Sequence, residues 1–299
     1  MGSFKSGFVG VLGQTNVGKS TFLNTVIGEK LLITSAKPQT TRNRVRCIYT
    51  SDEAQIVFVD TPGLHQPRNR LSRYILREAF RALRGLDVLL YMIEPWGRVS
   101  NYDRVLIERF QNHDRPILLL VNKIDLARGN DLEETLLAYE AEGKFAELIP
   151  ISAVRKINLD EALRTIVIYL PEGRPYFPTD ITSDCSEAFL VGELIREKIV
   201  QLTFKEIPYT TAVRVKWINE REDGLLEIKA EIVTDRKSQK GIIIGKGGSM
   251  IKQIGTKARA DIESLLGTQV FLELMVKVYK GWTRDLSQIE RLTGNGAEG

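Results

Sequence analysis

A short apolar run, Phe8 to Leu12, leads into Gly13-Gln14-Thr15-Asn16-Val17-Gly18-Lys19-Ser20, which fits G-x-x-x-x-G-K-S. Thr21 to Ile27 follows with apolar residues at helical spacing, and Gly28 can close that helix. Strand, glycine loop and helix in this order are the setting in which the motif cradles phosphate. A phosphate chain carries several negative charges that must be held away from water. Successive loop N–H groups and the helix N-terminus behind them supply the matching field. Gly13 and Gly18 let the backbone approach closely, in conformations that other residues resist. Lys19 would reach the β- and γ-phosphates, and the Ser20 hydroxyl would bind Mg²⁺. A chance glycine turn is the alternative, and the flanking strand and helix argue against it.

The chain has 299 residues, which suits two domains better than one. Apolar residues make up 43% and charged residues 27%, enough for ordinary cores. The formal net charge of +4 does not by itself imply nucleic acid. Cys47 and Cys185 stand apart in no ligand-like pattern and read as reduced thiols. His65 and His113 are the only histidines, so histidine-based metal or triad chemistry has little material. No apolar run approaches the roughly 18 residues of a membrane span.

Strands are expected at Val45–Tyr49, Gln55–Val59, Val88–Ile93, Ile117–Val121 and Leu148–Ile151. Helices are expected over 71–83, 101–111, 131–142 and 159–169. The all-apolar run Ile117–Val121 marks a parallel sheet covered on both faces. Alternating strands and helices predict an α/β fold with a doubly wound, mostly parallel sheet. Four stretches fall at strand tips: Gly13–Ser20, Asp60-Thr61-Pro62-Gly63, Asn122-Lys123-Ile124-Asp125 and Ser152-Ala153. That is the edge where ligands bind in open α/β sheets. Asp60 stands where a carboxylate can serve Mg²⁺ through water, and Gly63 can bring its N–H to a γ-phosphate.

The order of these stretches resembles the translation-factor-related GTPases. Gly13–Ser20, Thr41, Asp60–Gly63, Asn122–Asp125 and Ser152-Ala153 match that family's five motifs. The resemblance implies a P-loop GTPase that binds GTP or GDP with Mg²⁺. Gly13 to Thr21, Asp60, Thr61, Pro62, Gly63, Asn122, Lys123, Asp125, Ser152 and Ala153 would contact the nucleotide. Asp125 would accept from guanine N1 and N2, and a site built for such bonds rejects adenine strongly. Asn122 is expected near the base and its neighbouring loops, Lys123 over the base plane, and the backbone around Ala153 at guanine O6. Ser20 and Thr41 would bind Mg²⁺ directly and Asp60 through water. Lys19, Thr41, Gly63 and Asn16 would act in hydrolysis. Leu64 stands where Ras-like members carry the glutamine that orients water, so slow intrinsic hydrolysis is expected. Asn16 matches an asparagine that binds K⁺ in some relatives, which makes K⁺ stimulation a further expectation. His65 is a candidate general base, with a plain loop residue as the simpler reading.

Leu170 to Pro178 holds three prolines and a glycine and cannot continue a helix. A GTPase domain is therefore expected over 1–172, a linker over 173–183 and a second domain over 184–299. Ala188 to Thr203 reads as a helix, and Thr210–Ile218 and Leu225–Val233 as strands. Residues 181–299 hold 18 basic and 17 acidic residues. Arg236 to Ala260, in contrast, holds seven basic residues and no acidic one. The basic charge is thus local, as a phosphate-binding surface requires. Inside that window, Gly245-Lys246-Gly247-Gly248 is a G-x-x-G loop before an amphipathic helix to Leu266 and a strand, Val270–Val278. This arrangement resembles an α+β type II KH domain, whose loop clamps about four single-stranded nucleotides. Gly245, Lys246, Gly247, Gly248, Ser249, Lys252, Arg236 and Lys240 are the expected RNA contacts. Gly241–Ile244 reads as strand by propensity, and the resemblance makes it the short helix before the loop.

Together the two halves resemble a bacterial GTPase family that carries a C-terminal type II KH domain. Thr15 departs from the proline that the family usually has there. The resemblance implies a GTP-hydrolysing switch that binds 16S rRNA near its 3′ end and acts in 30S ribosomal subunit assembly. A cytoplasmic location is expected, with peripheral contact at the inner face of the cell membrane left open, and with no exposed heptad in the sequence a monomer is the default. A GTPase acting on another RNA such as tRNA, and a GTP-gated RNA adaptor with negligible turnover, stay open. A P-loop small-molecule kinase would not need Asn122–Asp125 or the G-x-x-G module.

Overall fold

The computed structural model describes residues 3–35, 37, 42, 45–61, 63, 70–81, 85–96, 98–111 and 115–293, without the side chains of 78–81. The chain divides into two compact units. The first comprises residues 1–28, 44–65 and 78–184, and the second residues 29–43, 66–77 and 185–299.

The first unit is built on a six-stranded sheet of β1 (Lys5–Gly13), β2 (Val45–Thr50), β3 (Ala54–Asp60), β4 (Val88–Ile93), β5 (Ile117–Val121) and β6 (Glu147–Pro150). The strands lie in the order β2-β3-β1-β4-β5-β6. Only β2 runs antiparallel to its neighbour. Every residue of β3, β4 and β5 is buried, as expected of strands covered on both faces. Helices α1 (Lys19–Ile27), α3 (Asn101–Gln111), α4 (Asp131–Glu142) and α5 (Leu159–Tyr169) make the connections. Gly28 ends α1 in a left-handed conformation, its N–H donating to the carbonyl of Asn24.

The proline-rich segment after α5 is tied down along the sheet. The Gln55 side chain accepts from the N–H groups of Tyr176 and Phe177 and donates to the Phe177 carbonyl. Ile48 N–H donates to the carbonyl of Thr182.

The second unit has a three-stranded sheet, β7 (Thr211–Glu220), β8 (Leu226–Thr234) and β9 (Val270–Val278), in that order. β7 pairs antiparallel with β8, which pairs parallel with β9. Helices α6 (Glu187–Leu202), α8 (Lys237–Ile244) and α9 (Ser249–Leu266) accompany it. Ile195, Ile199, Ile228, Ile232, Ile254 and Ile262 lie in their common core. The strand propensity of Gly241–Ile244 is overridden: these residues close α8, with Ile243 buried and Gly245 N–H donating to the Gly241 carbonyl.

A second cluster joins Leu71 and Ile75 of α2 (Arg70–Arg81) to Ala212, Val233, the buried Trp282, Ile289 and Leu292. Leu292 and Ile289 belong to α10 (Leu286–Thr293), and a short helix α7 (Ile207–Thr210) precedes β7. Neither was expected, and Thr210 closes α7 where the alternation predicts a strand residue.

Candidate nucleotide site and nucleic-acid interface

β1 ends at Gly13 and α1 opens at Lys19, so the motif residues form the loop between them. Positive φ at Gly13 (150°), Asn16 (69°) and Gly18 (102°) shapes that loop. A Cβ at Gly13 would lie 2.2 Å from the Met92 carbonyl oxygen, and one at Gly18 would lie 2.2 Å from Asn122 Nδ2. Both glycines are therefore required twice, by conformation and by space. Val17 is buried, Gln14 and Thr15 are half-buried, and Ser20 and Thr21 stand in the first turn of α1.

Lys19 is buried, and its ammonium donates to the carbonyls of Gly13 (3.0 Å) and Gln14 (2.7 Å). Burial pushes its pKa down to about 8, and the Asp60 charge opposes part of that shift. Asp60 is fully buried at the end of β3, in register with Val11 of β1. Thr61 Oγ1 fastens the next residue to the Val11 carbonyl at 2.8 Å. Gly63 also comes against the loop: a Cβ there would lie 2.9 Å from Thr15 Cγ2 and 3.3 Å from Lys19 Nζ. Thr41, Pro62, Leu64 and His65 lie outside the described residues. The Ser20 hydroxyl and the buried Asp60 carboxylate are hard oxygen donors, the kind that Mg²⁺ takes. The residues present therefore fit this ion.

Asn122, at the tip of β5, is 2% exposed. Its Nδ2 donates to the Val17 carbonyl at 2.8 Å, and its Oδ1 accepts the Ala153 N–H at 3.0 Å. Ser152 Oγ donates to Asp125 Oδ1 at 2.5 Å. Lys123, with φ of 68°, donates to the Asn16 carbonyl at 2.7 Å and pairs with Glu94. Asn122, Lys123, Asp125, Ser152 and Ala153 are thus gathered beside the glycine loop.

One polar cluster was missed. Gln14 Nε2 donates to both oxygens of Asp103 at 2.9 Å, and Tyr91 donates its hydroxyl to the same carboxylate. Asp103 is 3% exposed, and Tyr91 is shifted upward by burial and by the Asp103 charge. The available signal was Ser100-x-x-Asp103, an N-terminal capping box for α3. The Asp103 N–H donates to Ser100 Oγ and the Ser100 N–H to Asp103 Oδ2.

In the second unit, α8 ends at Gly245 (φ 74°, ψ 172°), where a Cβ would lie 2.7 Å from the Met250 nitrogen. Gly247 (φ 58°) and Gly248 (φ 81°) also have positive φ, and a Cβ at either would meet open space. Lys246, Gly247, Ser249 and Lys252 are exposed around this turn, and Lys240 is half-buried. Arg236 stands apart from them as the residue that precedes the first turn of α8, at the opposite end of that helix.

Residues 8–123 match the family described as 50S ribosome-binding GTPase, and residues 206–283 match the KH domain. GTPase Era of Lacticaseibacillus paracasei is 46% identical over 295 residues, covering 99% of this chain and 98% of that protein. The chain belongs to the Era family of GTPases. GTPase Era of Geotalea uraniireducens is 45% identical over 287 residues, 96% of this chain and 97% of its own. Among solved structures, a variant of Era from Aquifex aeolicus bound to GDP and aluminium fluoride is similar with a TM-score of 0.92. It is 39% identical and the match covers 98% of this chain and 99% of that one. Era in complex with MgGDPNP and nucleotides 1506–1542 of 16S ribosomal RNA gives the same TM-score, identity and coverage. As an Era-family GTPase, the chain carries a P-loop GTPase domain and a C-terminal KH domain.

Proposed function

We propose that this chain is a GTP-gated switch on the 3′ region of 16S rRNA and acts in 30S subunit assembly. The observation that carries the reading is the basic turn Gly245–Gly248, with Lys246 and Gly247 exposed, on a chain whose strand tips gather Asn122, Lys123 and Ala153 beside the glycine loop. The similarity to Era in complex with MgGDPNP and a 16S rRNA segment supports it. In this reading the loop N–H groups and Lys19 hold the β- and γ-phosphates, and Asp125 accepts from guanine N1 and N2. Asn122 braces the loops on either side, Lys123 covers the base, and the backbone around Ala153 meets O6. Ser20 and Thr41, with Asp60 through water, would hold Mg²⁺, whose positive charge would offset that of the phosphates. Gly63 presents its N–H to the γ-phosphate.

The segment that holds Thr41 is anchored on both sides of that residue. Lys37 donates to the carbonyl of Val200 at 2.5 Å, and the buried Arg42 donates to the carbonyls of Thr211 (2.8 Å) and Pro208 (2.6 Å). We infer that a γ-phosphate engaging Thr41 would act through these anchors on the RNA-binding unit, the route by which GTP would couple to RNA. By linkage, RNA then tightens GTP binding by the same factor.

K⁺ beside Asn16 is part of the reading, as is a domain boundary within residues 173–183. Among the described residues no helix is long and apolar enough to cross a membrane. Flotation of the full chain with anionic vesicles tests peripheral contact, and sedimentation tests the monomer. The decisive test of the RNA target is crosslinking in cells followed by sequencing of the bound RNA. Reads at the 3′ end of 16S rRNA support the proposal, and reads confined to tRNA overturn it. Single-turnover hydrolysis with and without that RNA separates a switch from an adaptor with negligible turnover.

A further inference from the structure

The loop between β1 and α1 is pinned by side chains. Lys123 donates to the Asn16 carbonyl, Asn122 to the Val17 carbonyl, and Lys19 to the carbonyls of Gly13 and Gln14. These three anchors belong to the motifs described above. The Gln14 side chain is held by a residue that belongs to none of them. Its Nε2 stands 2.9 Å from both oxygens of Asp103 and 3.2 Å from Ser100 Oγ. A carboxylate only accepts, so the amide faces it through nitrogen. Asp103 is 3% exposed and is itself fixed by donors from other elements. Tyr91 of β4 donates its hydroxyl, and Ser100 donates its Oγ at 2.5 Å and its N–H at 3.2 Å. Tyr139 of α4 is buried and hydrogen-bonds the same carboxylate. Burial and the Asp103 charge push its pKa up, so it stays a donor.

Capping of α3 accounts for Ser100 and Asp103, and leaves Gln14 and the two tyrosines unexplained. Gln14 is also the residue whose carbonyl receives the Lys19 ammonium at 2.7 Å, so holding its side chain holds that acceptor. Two positions on, Asn16 has φ of 69°, which a residue other than glycine keeps only where its surroundings over-determine the backbone. N–H groups aimed before a phosphate arrives need no ordering when it binds. A carboxylate has no attraction of its own for a polyphosphate, so any influence of Asp103 on the site runs through the Gln14 amide.

We propose that Asp103 is a positioning residue of the phosphate loop, holding Gln14 so that the loop meets the nucleotide already shaped. It rests on the nucleotide-site reading above. The test is calorimetric titration of the full chain with GDP and with GDPNP. It compares wild type, Gln14→Leu, Gln14→Glu, Gln14→Glu combined with Asp103→Asn, and Lys19→Ala. Gln14→Leu removes the donor at equal charge and similar size, and should weaken both nucleotides about tenfold. Gln14→Glu sets carboxylate against carboxylate and should weaken them further. Adding Asp103→Asn to it exchanges amide and carboxylate, restores the hydrogen bond and should recover most of the loss. A misfolded loop would not be repaired by that second change. A pure charge effect would leave Gln14→Leu at wild-type affinity. Wild-type affinity in Gln14→Leu, or a combined variant as weak as Gln14→Glu alone, overturns the positioning role. Loss of GDP binding in Lys19→Ala upholds the nucleotide-site reading in either case, and wild-type affinity there overturns both.

Discussion

Asn122 holds Val17: its Nδ2 donates to that carbonyl at 2.8 Å, joining the tip of β5 to the phosphate loop. The same side chain accepts from Ala153 N–H, so one buried amide braces three loops. Asn122→Ala leaves the Val17 carbonyl and the Ala153 N–H without this partner. Each such buried group costs about 1–3 kcal/mol. We expect GDP affinity to fall by about tenfold or more and the unfolding midpoint to drop. Calorimetric titration and thermal unfolding of the variant check both.

Lys19 sets a pH dependence. Burial holds its pKa at about 8 against an ordinary value of 10.5. Between those values the unfolded chain binds more protons than the folded one, so this group's contribution to stability rises with pH from about 8 to 10.5. A phosphate beside the ammonium raises its pKa again, so nucleotide binding above pH 8 takes up a proton. GDP affinity should fall by up to about tenfold per pH unit above 8. Titration calorimetry in two buffers of different ionisation enthalpy reads the proton uptake. A flat affinity from pH 7 to 9.5 contradicts the assignment.

The glycine turn separates fold from function. Gly247 has φ of 58° with open space around a Cβ, and aspartate tolerates that conformation. Gly247→Asp should fold, keep GDP affinity and lose RNA binding, since it places a carboxylate where phosphates pass. Gly245→Ala should instead destabilise, because its Cβ meets the Met250 nitrogen at 2.7 Å. Unfolding curves beside RNA titrations distinguish the two.

If Asn16 places K⁺, turnover in KCl should exceed that in NaCl several-fold at equal ionic strength. Asn16→Ala should remove the difference. Equal turnover of the wild type in both salts removes K⁺ from the account.

Local signals carried much of this structure. The all-apolar strands β4 and β5, the glycine loop and the helix spacing of α3 and α5 are visible because each is decided by near neighbours in sequence. What could not be read depends on distant partners. Trp282 is buried in a cluster that includes Leu71 and Ile75, about two hundred positions away. Lys30 meets Glu197 at 2.8 Å and Asp261 at 2.5 Å, and nothing in any one of the three segments announces the others. Glu197 is held below the usual carboxylate range, Lys30 and Lys198 overcoming its burial. Asp235 comes together with Arg70 and Arg284 around one cavity, a grouping that only the fold shows.

The central claim is that GTP at the strand tips controls RNA at Gly245–Gly248. The most direct measurement is the affinity of the full chain for a labelled 16S rRNA 3′ fragment, with GDPNP and then with GDP, at one fixed salt concentration. The account predicts tighter binding with GDPNP, lost in Gly247→Asp. Equal affinity in the two nucleotide states would contradict it and leave two independent activities on one chain.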